Sequence, residues 1–231
     1  MEQGTAEPEP CARTWVPAQP GPGVPRRHSV RGQVLAALRR ALVDGELTPG
    51  EVYSAPALGE RYGVSATPVR EAMQQLAGEG AVEVVPNRGF RVAERSARDL
   101  AELAEVRAML EVPAIVRLAR AVPPERFEEL RPLAAAGVAA AAGGDRVGYA
   151  EADHAFHEAL MSLTGNRRLT ELAGDLLRRA QWPPASGSRR TAELLADAAE
   201  HHTLLDALSA REFAVVERIA RAHVSVAHRP L

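Results

Sequence analysis

The chain has 231 residues, 46% hydrophobic and 25% charged, with a formal net charge of −2, enough for one large domain or two small ones, and two is the expectation. No run approaches the ~20 consecutive apolar residues of a membrane-spanning helix, and the opening Met1-Glu2-Gln3 lacks the basic-then-apolar pattern of a secretion signal, so no membrane association and a cytoplasmic location are expected. Cys11 is the single cysteine, which excludes a disulfide framework or a cysteine metal cluster within one chain.

Residues 1 to 28 hold Pro8, Pro10, Pro17, Pro20, Pro22 and Pro25 among polar residues, a composition that buries too little surface to offset ordering entropy, and predict a disordered tail. From Ser29 the spacing of Val30, Val34, Leu38, Ala41 and Leu42 predicts a helix, ended by Asp44-Gly45 and Pro49-Gly50. A second helix closes at Leu58 to Gly63. After a tight turn a third begins, with Thr67 as the expected cap and Pro68 at the first helical position, where a missing N–H costs nothing. Val69, Ala72, Met73 and Leu76 face a core, leaving Arg70, Glu71, Gln74 and Gln75 outward, where a planar Arg and two amides suit base edges in a major groove. Ala81 to Val85 and Phe90 to Val92 then read as two short strands joined at Pro86-Asn87-Arg88-Gly89. Three helices and a hairpin over residues 29–95 predict a winged helix-turn-helix. Its eight Arg balance eight acids, so DNA binding there rests on local placement of Arg70, Arg88 and Arg91, with Arg26, Arg27 and Arg31 beside them.

From Ser96 to about residue 228 the apolar spacing is helical, broken at Pro123-Pro124, Gly143-Gly144, Gly165-Asn166, Pro183-Pro184 and Ala210-Arg211. Six or so helices with short connections predict an antiparallel all-α bundle, giving a mostly α chain overall. Pro113 is expected to kink the first of them, and Ala134 to Ala142 reads as an Ala-rich helix.

Leu47-Thr48-Pro49-Gly50, the Leu58-to-Gly63 helix end, Ser65 to Met73, Leu76 to Gly80 and Pro86 to Val92 together resemble the GntR family of bacterial transcription regulators, in its FadR-like branch with an FCD ligand domain. The resemblance spans the winged helix and, through the FCD-type bundle, residues 96 to 227. It implies a homodimer on a short palindromic double-stranded operator, repression as the default sign, and a grip altered when a small molecule binds the bundle. It also implies DNA contacts from Ser65, Thr67, Arg70, Gln74, Asn87, Arg88 and Gly89. One departure matters: Ala66 stands where the family carries a DNA-contacting Arg, and Pro56 or Ala57 falls at a second contact position that is normally charged. Since a bidentate Arg–guanine pair is worth about 1–3 kcal/mol of base discrimination, an altered operator preference is expected, resting on Arg70, Asn87 and Arg88.

Asp153 and His157 are spaced i, i+4 and share a helix face with Phe156 and Leu160; His201 falls with Leu204, Leu205 and Leu208, and His223 with Val216, Ile219 and Val226. Three imidazoles and a carboxylate on inward faces of three helices form a ligand set for Zn²⁺ above all, or Mn²⁺, Ni²⁺ or Co²⁺. An inward histidine is also commonly a satisfied core residue; the resemblance to the FCD metal set tips the reading to a metal site. Beside these, His154 and His202 lie off the apolar faces. Arg107 sits on an apolar stripe and demands an anion, either Glu111 one turn on or the carboxylate of an organic-acid effector. Asn166 caps the helix that follows it or lines the effector site. Two other readings stay open: a metal-dependent enzyme, opposed by the lack of a general base near the ligands in sequence, and a DNA-binding dimer whose bundle is purely structural.

Overall fold

The computed structural model describes residues 30–182 and 190–226; the expectations for the tail at 1–28, for Arg26 and Arg27, and for the break at Pro183-Pro184 lie outside them. Helix α1 (Val30–Val43) buries Val34, Leu35, Leu38, Ala41 and Leu42. Val30, expected on that stripe, is 54% exposed, and Leu35 takes its place. A two-residue strand β1 (Val52–Tyr53) leads to α2 (Ala55–Tyr62), whose Ser54 cap accepts a hydrogen bond from the Ala57 amide and whose C-terminal Gly63 has φ 67°. A side chain at Gly59 would bring its Cβ within 2.8 Å of the Val64 carbonyl oxygen, so this glycine lets the following turn fold back tightly.

Helix α3 (Ala66–Gly78) starts two residues earlier than its sequence suggests: Ser65, not Thr67, is the N-cap residue, and its hydroxyl makes no capping bond. Pro68 is compatible with both starts because the amides of the whole first turn lack intrahelical acceptors. Val69, Ala72, Met73 and Leu76 are buried as expected. Strands β2 (Val82–Val85) and β3 (Gly89–Val92) form the hairpin, but β1 joins it, giving an antiparallel sheet of order β1-β3-β2 with Val52 opposite Arg91 and Tyr53 opposite Phe90. Gly89 has φ 133°, and a Cβ there would lie 2.3 Å from the Tyr53 carbonyl oxygen, so the third strand is admitted only by glycine.

Seven further helices make up the rest of the described chain: α4 (Ala97–Ala121), α5 (Pro124–Glu128), α6 (Arg131–Ala142), α7 (Arg146–Ser162), α8 (Arg167–Gln181), α9 (Thr191–Ser209) and α10 (Phe213–Val226). The break between α5 and α6 carries no glycine, which hid it from the sequence pattern. Helix α4 opens on a reciprocal cap, the Asp99 amide donating to the Ser96 hydroxyl and the Ser96 amide to the Asp99 carboxylate. It runs unbroken through Pro113, which lies on its exposed face, where water can solvate the carbonyl left without a donor. The bundle core joins Ile115 and Leu118 of α4, Phe127, Phe156 and Leu160, Leu204, Leu205 and Leu208, and Val216. Helix α6 packs closely on α7 and α9 through small residues: Ala134, Gly137 and Ala141 are buried, and a Cβ on Gly137 would sit 3.9 Å from the Ala198 methyl.

Candidate metal centre and nucleic-acid interface

Helices α7, α9 and α10 bring Asp153, His157, His201 and His223 together in the bundle, each no more than 9% exposed, with one ligand atom apiece all within 4.8 Å of one another. The atoms that converge are Nε2 of each histidine and Oδ1 of Asp153. His157 Nε2 lies 3.1 Å from His223 Nε2, which lies 3.2 Å from His201 Nε2. Asp153 Oδ1 closes the ring, 3.3 Å from His201 Nε2 and 3.9 Å from His157 Nε2. Donors bound ~2.0–2.1 Å from one zinc ion stand roughly 3.3–3.4 Å apart when tetrahedral and about 3.0 Å apart when adjacent in an octahedron, so the 3.1, 3.2 and 3.3 Å separations match neighbouring donors of one ion, while the 3.9 Å pair is wider.

Two of the three outward ring nitrogens face a carboxylate, that of His223 within a hydrogen bond and that of His157 as a close charge alone. His223 Nδ1 lies 2.9 Å from Glu200 Oε2, and His157 Nδ1 lies 3.5 Å from Glu111 Oε2. A carboxylate behind an imidazole holds the proton on the outer nitrogen and turns the lone pair of the inner one to the centre, the arrangement that supports metal-bound histidines. With Nδ1–H committed to Glu200, His223 Nε2 presents a single lone pair to two neighbouring Nε2 atoms. One lone pair cannot satisfy both as donors, whereas a shared cation satisfies all three; the donor set therefore fits a metal. The Phe156 ring lies flat on His201, centroids 4.1 Å apart, fixing that imidazole's plane. Gln181 at the end of α8 donates to Asp153 Oδ2 at 2.8 Å, leaving Oδ1 to face the histidines.

Electrostatics favour the ligating forms of Asp153 and His201. Burial alone would raise the Asp153 carboxyl, but the His201 hydrogen bond and the neighbouring imidazoles outweigh it and hold it far below the usual carboxylate range. Burial pushes His201 down, toward its neutral form.

Arg107, also inward on α4, is 2% exposed and forked onto Glu111, Nε to Oε1 at 2.7 Å and Nη2 to Oε2 at 3.2 Å. The anion it demands is thus present within the chain. Burial raises Glu111, but Arg107 above all, and then His157, override it and bring its carboxyl down to about 2. Asn166 is exposed, its side chain accepting from the Leu169 amide at 3.1 Å to cap α8, and it is not among the residues that converge on the centre. His154 meets Arg178 in a groove between α7 and α8, and His202 is half-buried; neither ligates with the four. Glu200 and Gln181 escaped the sequence pattern because each reaches a residue on another helix.

On the winged helix, Ser65, Thr67, Arg70 and Gln74 are exposed along the first turns and outer face of α3, and Asn87 and Arg88 are exposed at the hairpin tip, where Asn87 has φ 60°. Gly89 is half-buried, and its packing against Tyr53 accounts for a glycine there. Gln75 accepts from Arg31 at 2.9 Å, so α1 braces the reading face. Ala66 packs partly against the winged-helix core.

Two family models match in tandem: bacterial regulatory proteins, gntR family, over residues 30–92, and the FCD domain over residues 102–226. The chain belongs to the GntR family and carries an FCD domain. This GntR regulator is 32% identical to the "Probable D-xylose utilization operon transcriptional repressor" of Paenarthrobacter nicotinovorans, covering 86% of this chain and 87% of that protein. It is 30% identical to the HTH-type transcriptional repressor GlaR of Escherichia coli K12, covering 81% and 89%. Among solved structures, E. coli McbR/YncC superposes with a TM-score of 0.65 at 28% identity, covering 85% of this chain and 94% of that one. A GntR regulator from Rhodococcus sp. RHA1 superposes at 0.64 and 27%, covering 86% and 95%. The GntR chain is therefore a DNA-binding transcriptional regulator, mostly helical, with winged-helix and FCD domains. No helix among its described residues is long and apolar enough to cross a membrane.

Proposed function

We propose that this regulator is a cytoplasmic homodimeric repressor whose grip on a palindromic operator is modulated by a small organic acid at a divalent-metal centre in the helical domain. The observation that carries the reading is the convergence of three Nε2 atoms and one carboxylate oxygen in a buried ring, with carboxylates behind two of the imidazoles. Asp153, His157, His201 and His223 would hold the metal, with zinc the first candidate and manganese, nickel or cobalt accepted by the same donors. When bound, the metal supplies a Lewis-acidic position for an effector carboxylate. Arg107 is the nearest guanidinium candidate for the effector's second end, and it must share its charge with Glu111 to serve there. An effector acts by its differential affinity for two states of the dimer, and about 1–3 kcal/mol of coupling suffices for regulation.

A homodimer is supported by the outer face of α4. Val106 and Met109 are 43% and 64% exposed, and Met109 continues with Pro113 and Val116 into an apolar groove between α4 and α10. Glu102 and Glu105 precede this stripe and Arg117 and Arg120 follow it, at equal distances from residue 111. An antiparallel second copy thus sets acids against arginines, the self-complementarity that a two-fold interface requires.

The test combines elemental analysis with operator binding. Purified wild-type protein is expected to hold one divalent ion per chain, lost in His157→Ala and His201→Ala, and its operator affinity to shift on adding candidate organic acids only while metal is bound. Full metal content in both variants would overturn the ligand assignment, and bound metal without any effector response would leave the bundle a structural dimeriser.

A further inference from the structure

The last turn of α8 touches both the four-donor ring and the far end of the recognition helix through adjacent residues. Gln181 spends both amide hydrogens on α7, donating to the Ala150 carbonyl at 3.0 Å and to Asp153 Oδ2 at 2.8 Å. Trp182, the next residue, donates its indole N–H to the Glu79 carbonyl at 3.4 Å and packs its ring on the winged-helix core. Glu79 caps the C-terminal end of α3 and is itself tied to α1 by the Arg39 guanidinium at 2.6 Å and to Gln75 at 3.1 Å. Two residues earlier, the Arg179 chain lies against Gly80, where an added Cβ would meet its Cγ at 3.4 Å, and the Gly80 carbonyl accepts from Arg95 at 2.6 Å. Two hydrogen-bonding systems that are 103 residues apart in sequence at Trp182 and Glu79 are thus joined across one peptide unit.

We infer that Gln181 and Trp182 are positioning residues that register the Asp153 carboxylate against the C-terminal end of α3, so that filling the four-donor ring resets the recognition helix. The inference rests on the metal reading above and adds the element that transmits it. Asp153 is held at one oxygen by Gln181 and offers the other to the ring. Asp153 would hold a bound cation through Oδ1, and Gln181, which holds Oδ2, would carry any rotation of that carboxylate to the end of α8. The adjoining indole cannot follow freely, because its N–H and its ring are both engaged on the other domain. Movement is therefore passed to Glu79, and through it to Gln75 and Arg39, instead of being absorbed in a loop. The device needs no contact between the metal and the winged helix.

Tryptophan supplies the readout. The chain has two, Trp15 and Trp182, so a Trp15→Phe background reports Trp182 alone. Zinc or manganese chloride is titrated into metal-stripped full-length protein while indole emission, calorimetric stoichiometry and backbone hydrogen exchange over residues 75–81 are followed. The expected result is one ion per chain, a saturable emission change with the same midpoint, and altered exchange at the end of α3. Gln181→Leu is expected to need more metal for saturation and, once saturated by calorimetry, to lose most of the emission change, and Trp182→Phe, which keeps the ring but not the N–H, to keep metal binding while the exchange of residues 75–81 no longer follows it. Metal binding by calorimetry with unchanged coupling in both variants, or without any response of Trp182 in the parent, would overturn the inference and leave the metal centre standing. A calorimetric blank in the parent would instead overturn the metal reading on which it rests.

Discussion

The buried Arg107–Glu111 fork tests whether the interior of the helical domain is wired as described. Replacing Glu111 by Gln keeps the volume and one acceptor oxygen but removes the charge, leaving a guanidinium that is 2% exposed without a counter-ion. Breaking one side of a buried ion pair costs about 3–5 kcal/mol. The carboxyl brought from 4.5 down to about 2 gives a similar figure, since each unit is worth about 1.4 kcal/mol and the sum is ~3 kcal/mol. The sign follows from which form is bound: Arg107 and His157 face the carboxylate, so the contribution is whole above the unfolded value and is lost as pH falls toward about 2. Urea unfolding of metal-stripped wild type and Glu111→Gln, followed by helical circular dichroism, is expected to show a gap of ~3 kcal/mol at pH 7 that narrows by roughly half at pH 3. The double change Arg107→Met with Glu111→Leu is expected to recover most of the stability, because an apolar pair escapes the desolvation cost. A gap below about 1 kcal/mol at pH 7, or one that is the same at both pH values, would refute the reasoning.

Three other outcomes follow from the same geometry. Ala66→Arg is expected to tighten binding or change sequence preference on the native operator by about 1–3 kcal/mol in anisotropy titrations, its long stem lying over the core edge that Ala66 now touches; no change would mean that position 66 does not reach base edges. Gly89→Ala forces a methyl onto the Tyr53 carbonyl at φ 133° and is expected to lower the stability of the winged helix by at least ~1–3 kcal/mol, with hydrogen exchange of β1 accelerated; a neutral result would show that β1 can separate without cost. Met109→Glu, on the exposed face of α4, is expected to shift the light-scattering mass from dimer toward monomer with helicity unchanged, and a mass insensitive to this change would place the two-fold contact elsewhere.

Most of the fold was legible because its elements are long enough to carry a period or end at strong turn residues. Asp153 and His157 could be paired from i, i+4 spacing, and His201 and His223 from the leucines and valines that share their faces. What escaped has a common cause. A two-residue strand such as β1 has no period, and its place in the sheet is fixed by the missing side chain at Gly89 on a strand that comes 36 residues later in sequence. Thr67 was the expected cap because Pro68 was read as the first helical residue, but a proline is accepted anywhere in the first turn, so Ser65 takes the role two residues earlier. Glu200 behind His223 and Gln181 behind Asp153 are set by how α9, α10, α7 and α8 cross, and neighbours in sequence carry no trace of that.

Charge balance gives the helical core its final constraint. With neutral imidazoles, Asp153, Glu111, Glu200 and the buried Asp197 beside His201 face, among the described residues, the single buried Arg107, leaving an excess of negative charge around the ring. Protonating imidazoles would offset part of it, but burial opposes a charged His201, and protonated rings would bring their Nε2 hydrogens together at separations of 3.1 and 3.2 Å. A divalent cation would offset two of those charges while using the lone pairs that already converge. The second reading, a bundle with purely structural histidines, has to offset the same excess by protonating rings whose Nε2 atoms face one another, and metal analysis of the purified protein separates the two.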